Sequence, residues 1–236
     1  MNSQLFFFKL TFKPLIRWAV FQALVGKNRA TNEPEKGRLT RAEVNRLIDQ
    51  SWRDFDELIP DVSHEPTFGS RMNVRLAALS LAMLRSLTSA GIERKYAIEL
   101  IGDACWKIYQ YWGRAGRFIG RTLSRHDSMK EQARWVTKDG SWPMSFPFNP
   151  PGYRALYVPT KGGLGFNVIR CPVAEYFYAR GASDLAVSTW CMLDYPLAEM
   201  VNLKLVRTQT LAAGSQLCDF RWFTTAKEPD FKRNKT

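Results

Sequence analysis

Histidine is almost absent: His64 and His126 are the only two in 236 residues. A Ser-His-Asp triad would need one of them, and no nucleophile-elbow sequence exists to pair with either. HExxH, Walker and dinucleotide-binding motifs are missing as well, which removes zincins, P-loop NTPases and Rossmann dehydrogenases. Glycines 162, 163 and 165 lie in a hairpin turn with no Lys-Ser/Thr after them, so they do not form a phosphate loop. Zinc-finger spacing, an RNP-like aromatic set and a helix-turn-helix are lacking, so nucleic acid is not an expected partner. No run of about 18 apolar residues occurs, so no segment is expected to span a membrane. The four cysteines are widely spaced, with no C-x2-C pair. The apolar run Leu5–Phe8 is broken by Lys9 and Lys13 and stopped by Pro14, unlike a secretory signal. Together these point to a reduced, cytoplasmic protein.

What is present is apolar and basic. A hydrophobic content of 45% places the chain among globular proteins, not disordered ones. The net charge of +12, from 34 basic and 22 acidic residues, suits an anionic partner. That partner is a small anionic substrate or an anionic membrane surface. Basic residues gather over 94–125 and acidic ones over 54–65. Either cluster also reads as a solvated helix face.

The chain divides into an apolar, basic N-terminal arm and linker (1–39), one domain (40–226) and a basic tail (227–236). Residues 1–26 either lie on an anionic membrane, with Phe and Trp as anchors, or pack on the domain or a second subunit of a homo-oligomer. The sequence TRAE at Thr40–Glu43 is a capping box, and apolar residues succeed it at helical spacing to Phe55. A second helix spans about 72–89 and is apolar on most sides, so it should be central. A third spans about 93–112, with a kink or break expected at Gly113, Gly116 and Gly120. Cys105 on its apolar face reads as a small buried residue. A short helix to Val136 and a proline-rich connector or lid over 138–153 come next.

Strands are expected at 154–158 and 164–169 around a glycine turn. Pro172 then opens a helix that Gly181 ends. The next helix should carry Cys191 and Asp194 near its C-terminal end, on one face at i and i+3. Strands 203–211 and 216–223 close the domain. The fold class is therefore α+β: N-terminal helices packed with a small antiparallel sheet built from two C-terminal hairpins.

Chemistry concentrates at the end of the chain. Cys171, Cys191 and Cys218 stand at element ends, with Asp194 three residues after Cys191 and Asp219 directly after Cys218. Thiols and carboxylates so placed suit a small reactive pocket or a metal site. Three thiolates and an aspartate match zinc in ligand type, but their long spacings lend it no support. Burial as small apolar residues is the third option for the thiols. Asp219 also reads as a turn cap, and Asp194 as a helix-end hydrogen bond.

The pattern C-x2-D, then R-T-x-T-L-x2-G-x3-CDF, is carried by Cys191, Asp194, Arg207, Thr208, Thr210, Leu211, Gly214 and Cys218-Asp219-Phe220. It resembles the L-2-amino-thiazoline-4-carboxylic acid hydrolase family over about the last third of the chain. The resemblance implies an enzyme that opens a C–N or C–S bond of a cyclic amidine bearing a carboxylate. Under it, Asp194 acts as base beside Cys191, Cys171 and Cys218 complete the pocket, and Asp219 is the second carboxylate. Arg207 and Arg170 would hold the substrate carboxylate. The thiol layout also resembles vinyl-reductase-like sensor domains, which implies a non-catalytic ligand-binding domain, with zinc held by Cys171, Cys191 and Cys218. Convergence of Asp194 and Asp219 on an open cleft would favour the enzyme; a buried apolar cavity would favour the sensor.

Overall fold

The capping box forms. The Thr40 amide donates to Glu43 Oε2 at 2.7 Å, and the Glu43 amide donates to Thr40 Oγ1 at 3.3 Å. These bonds satisfy helix N-terminal donors that would otherwise be orphaned. They start α2 (Arg41–Leu58), which buries Val44, Leu47, Ile48, Trp52 and Phe55 along one stripe. In this computed structural model the described residues are 3–123, 152–200 and 203–224.

The central helix, α3 (Phe68–Ser89), starts four residues before the expected Met72. Thr67 is the reason: its side chain accepts from the Ser70 amide and caps the helix. Val74, Ala77, Ala78, Leu81, Leu84 and Leu87 are all buried, so α3 packs on several sides. The fourth helix, α4, runs unbroken over Arg94–Leu123. The break expected at Gly113, Gly116 and Gly120 does not occur. Each glycine costs a helix about 1 kcal/mol, which weakens it without forbidding it.

The first helix, α1 (Ser3–Leu24), continues through Pro14, where the apolar run was expected to stop. An interior proline forfeits one helical hydrogen bond and costs about 3 kcal/mol. Burial on both sides of it offsets that cost, since a large apolar side chain contributes roughly 1.5–3 kcal/mol when buried. Phe8, Ile16, Val20 and Leu24 are buried, and Phe8 stacks on Phe55 with ring centroids 5.5 Å apart. The helix therefore packs on the domain along this side, chiefly against α4 and α2. Phe6, Phe7, Leu10 and Trp18 remain exposed on its outer face. Residues 27–39 fold back on themselves, with the Leu39 amide donating to the Lys27 carbonyl at 2.8 Å. Among the described residues, no helix is long and apolar enough to cross a membrane.

Four strands complete the domain: β1 (Arg154–Val158), β2 (Gly163–Arg170), β3 (Leu203–Val206) and β4 (Cys218–Thr224). They form one antiparallel sheet in the order β1-β2-β4-β3, with each expected hairpin pair adjacent. The glycines at its turn have a packing reason. A Cβ on Gly165 would sit 2.7 Å from the Val158 carbonyl oxygen, and Gly162 takes φ 71°. Phe166 and Phe220 face each other across β2 and β4 and stack at 5.1 Å.

Between the hairpins lie α5 (Pro172–Tyr178), a turn at Ser183–Leu185, a π-helical stretch at Ala186–Cys191 and α6 (Asp194–Met200). Pro172 opens α5 as expected, and Gly181 has φ 61°. The helix expected through Cys191 and Asp194 is instead divided. Cys191 ends the wide π turn, and Asp194 begins a new helix. The extra residue per turn of a π stretch shifts the register of the residues after it. The strand expected over 203–211 ends at Val206, because Thr210 caps a 3-10 turn at Leu211–Ala213. The short helix to Val136, and the connector or lid except for Gly152 and Tyr153, lie outside the described residues. The architecture is α+β.

Thr40→Ala should lower unfolding free energy by about 1 kcal/mol, because it removes the α2 cap. Urea denaturation followed by circular dichroism would measure this, and an unchanged midpoint would deny the cap that role.

Candidate active site

Asp194 and Arg207 form an ion pair in the second half of the chain. Arg207 Nη1 donates to Asp194 Oδ2 at 2.6 Å, and Nη2 donates to the Cys191 carbonyl at 2.7 Å. The guanidinium lies between two rings, 5.2 Å from the Tyr195 centroid and 5.1 Å from that of Phe220. The Tyr195 hydroxyl in turn donates to the Arg207 carbonyl at 3.1 Å. Burial of the arginine side chain is nearly complete, at 2% exposed, and its Nε has no hydrogen-bond partner.

Asp194 is set differently. Its side chain keeps 29% of its surface, yet it lies deep enough among protein atoms for desolvation to prevail. Burial pushes its pKa up to about 6, against the opposing pull of Arg207. Oδ2 is held by Arg207, while Oδ1 accepts no hydrogen bond among the described residues. The result is an oriented carboxyl with one free oxygen that titrates near neutrality. That combination is what proton-transfer chemistry requires.

Tyr109 on α4 stands near this carboxyl. Burial raises its pKa first, and the charges of Asp194, Cys105 and Cys191 raise it further. Its hydroxyl has no hydrogen-bond partner among the described residues. Tyr109 also lines a cavity of about 310 Å³ between α1, α3, α4 and the segment Trp190–Leu193. Tyr153, hydrogen-bonded to Asn73 Nδ2 at 3.2 Å, is raised by burial and then by Cys171, Tyr109 and Asp194. Neither tyrosine stands out in sequence. Tyr109 lies four residues after Cys105, so a polar tip on that apolar face was its one signal.

The thiols are neutral groups engaged in local contacts. Cys171 caps α5, its Sγ accepting from the Ala174 amide at 3.4 Å. Cys218 accepts from the Leu211 amide at 3.2 Å. Burial pushes the Cys171 and Cys191 thiols up to about 12 and raises Cys218 as well. Cys105, on the cavity wall, is likewise pushed up to about 12 by burial. Thiolate is the nucleophilic form, so none of Cys105, Cys171, Cys191 and Cys218 is primed for attack. The three sequence-selected thiols do sense one another's charge, but the donor set does not fit zinc. Among the described residues, no three His, Cys, Asp or Glu side chains are placed to hold a metal ion.

Asp219 points elsewhere. It accepts from the Thr208 and Gln209 amides at 2.9 and 2.8 Å and from the Thr208 hydroxyl at 2.6 Å. Burial opposes its charge, but these bonds hold its pKa below the usual value. It is a turn cap joining the segment after β3 to β4. The two arginines are also occupied. Arg170 forks onto Glu65 at 2.9 and 3.0 Å and reaches Glu175 at 2.9 Å. Glu65 is 2% exposed, so this pair ties the loop before α3 to the end of β2. Arg207 is spent on Asp194.

A family model described as L-2-amino-thiazoline-4-carboxylic acid hydrolase matches residues 73–222. The chain belongs to that family. The match takes in α3, α4, the sheet and the Asp194–Arg207 pair, and it leaves α1 and α2 outside. A search of curated proteins and a search of solved structures each found no match.

This geometry sets two expectations. Carboxyl titration followed by carbon-13 NMR should place Asp194 near pH 6, and Arg207→Gln should move it higher, because the guanidinium favours the ionised form. A downward shift would refute that account. Labelling of the folded protein by iodoacetamide at pH 7.5 should be slow at Cys105, Cys171 and Cys191, since thiols pushed up to about 12 hold little thiolate. Rapid labelling of any one by mass spectrometry would contradict the stated protonation.

Proposed function

We propose that the protein is a hydrolase in which Asp194 activates water against the amidine carbon of a cyclic substrate. Family membership supports the reaction class. The single supporting observation at the site is the Asp194 carboxyl, held through Oδ2 by Arg207 with Oδ1 unengaged among the described residues, beside Tyr109.

That arrangement dictates the chemistry. Above its pKa, Asp194 takes a proton from water through Oδ1 while the water oxygen bonds to the amidine carbon. The amidine nitrogen takes the hydroxyl proton of the tetrahedral intermediate, the carbonyl forms, and the ring bond to the leaving heteroatom breaks with its electron pair. The protonated Asp194 returns its proton to that atom. A ring opened at sulfur thus gives a urea and a thiol, with one water consumed. Tyr109 is placed to donate a hydrogen bond to the substrate near the reacting carbon. Arg207 orients the base and does not contact substrate. Cys191 enters as a neutral wall of the site, and no covalent thiol adduct is required.

A second reading has its own support. The cavity beside Asp194 is apolar, as a ligand-binding domain without catalysis would require.

Purified protein incubated with L-2-amino-thiazoline-4-carboxylate, followed by mass spectrometry for ring opening, separates the two. As a base, Asp194 must be ionised, so kcat/KM should rise with pH through about 6 and then level off. Asp194→Asn should lower kcat at least about 100-fold, the usual contribution of a general base. Ligand retention without turnover would favour the binding domain, and full activity in Asp194→Asn would end the proposal.

A further inference from the structure

The cavity beside Asp194 has a lining that the family's named substrate does not explain. Asn73, Ser80, Cys105 and Tyr109 are its polar lining residues, and every other residue on it is apolar. Ser80 is already committed, donating to the Leu76 carbonyl at 3.1 Å and accepting from Trp190 Nε1 at 3.3 Å. No lysine or arginine lines the cavity among the described residues. Arg170 and Arg207, the arginines considered above for a substrate carboxylate, are both paired with carboxylates of the protein. A carboxylate lodged in this space would be an unpaired buried charge, which is costly.

One wall is supplied from outside the family match. Phe12, Ile16 and Val20 of α1 face the cavity, and the match begins only at residue 73. These three residues supply a wall that the family match does not cover. At about 310 Å³ the cavity falls at the lower end of the small-molecule range. Tyr109 belongs both to its wall and to the surroundings of Asp194, so a ligand filling the apolar part has its polar end beside the carboxyl.

We infer that the cavity walled by α1 binds the uncharged, apolar body of an amphipathic substrate, whose polar reacting end lies against Tyr109 and Asp194. This deepens the Asp194 reading and rests on it for the position of the reacting end. Substrate choice then lies with α1 as well as with the family-matched residues.

The test uses N-phenyl-1-naphthylamine, a neutral apolar probe whose fluorescence rises on leaving water, and the full-length protein. Saturable binding is expected, with displacement by decanamide and none by L-2-amino-thiazoline-4-carboxylate at equal concentration. Ala104→Phe fills the cavity from α4, and Val20→Phe fills it from α1. Whichever of the two retains the native circular dichroism spectrum should bind the probe with a Kd at least about tenfold weaker. Phe7→Ser, on the exposed face of α1, should bind as wild type. Unchanged binding in the filled variant, loss of binding in Phe7→Ser, or displacement by the aminothiazoline would each overturn the inference. Asp194→Asn separates this from the catalytic reading, because it should abolish ring opening and keep the probe. Retained binding without turnover in the wild type would count against the hydrolase alone.

Discussion

The second half of the chain depends on one buried ion pair. Arg207 leaves the end of β3, runs between the rings of Tyr195 and Phe220, and reaches both Asp194 and the Cys191 carbonyl. A guanidinium that is 2% exposed would be prohibitive without such partners. The aromatic faces supply electrostatic attraction on two sides, and the carboxylate supplies the countercharge. In return, the arginine holds the π turn, the start of α6 and the sheet in one geometry. The pair also sets the site, since it fixes one oxygen of Asp194 and leaves the other open.

Two opposing effects decide the protonation of that carboxyl. An adjacent cation lowers a carboxyl pKa, and burial raises it. Here burial prevails and the group titrates near pH 6. Asp219 shows the reverse outcome only 25 residues away, where three hydrogen bonds to its charged form overcome burial. Two aspartates with similar sequence surroundings thus do different work. The pKa of one is pushed up by burial against its arginine partner, and the other closes a turn.

The helical half supplies a container. The N-terminal helix spends an interior proline to cover α4 and to wall the cavity, while its outer face keeps four large apolar side chains in water. Family membership rests on residues 73–222, which take in the Asp194–Arg207 pair and leave this wall outside the match.

Local signals in the sequence determined the elements. The Thr40–Glu43 box, the apolar periodicity of α2 to α4, Pro172, Gly181 and the alternating strands each act over a few residues, and each marks what forms there. The family motif likewise singled out Cys191, Asp194 and Arg207, three residues that do meet. Tertiary structure alone decided their roles. Pairing of Arg207 with Asp194 spans 13 residues, and pairing of Arg170 with Glu65 spans 105, so no local pattern encodes either. The same holds for the thiols, whose protonation is set by burial, and for Tyr109, which reaches the site only because α4 packs against the π turn. Desolvation and long-range pairing are properties of the assembled fold, which is why residue type and spacing could single out these residues and could not assign their charges.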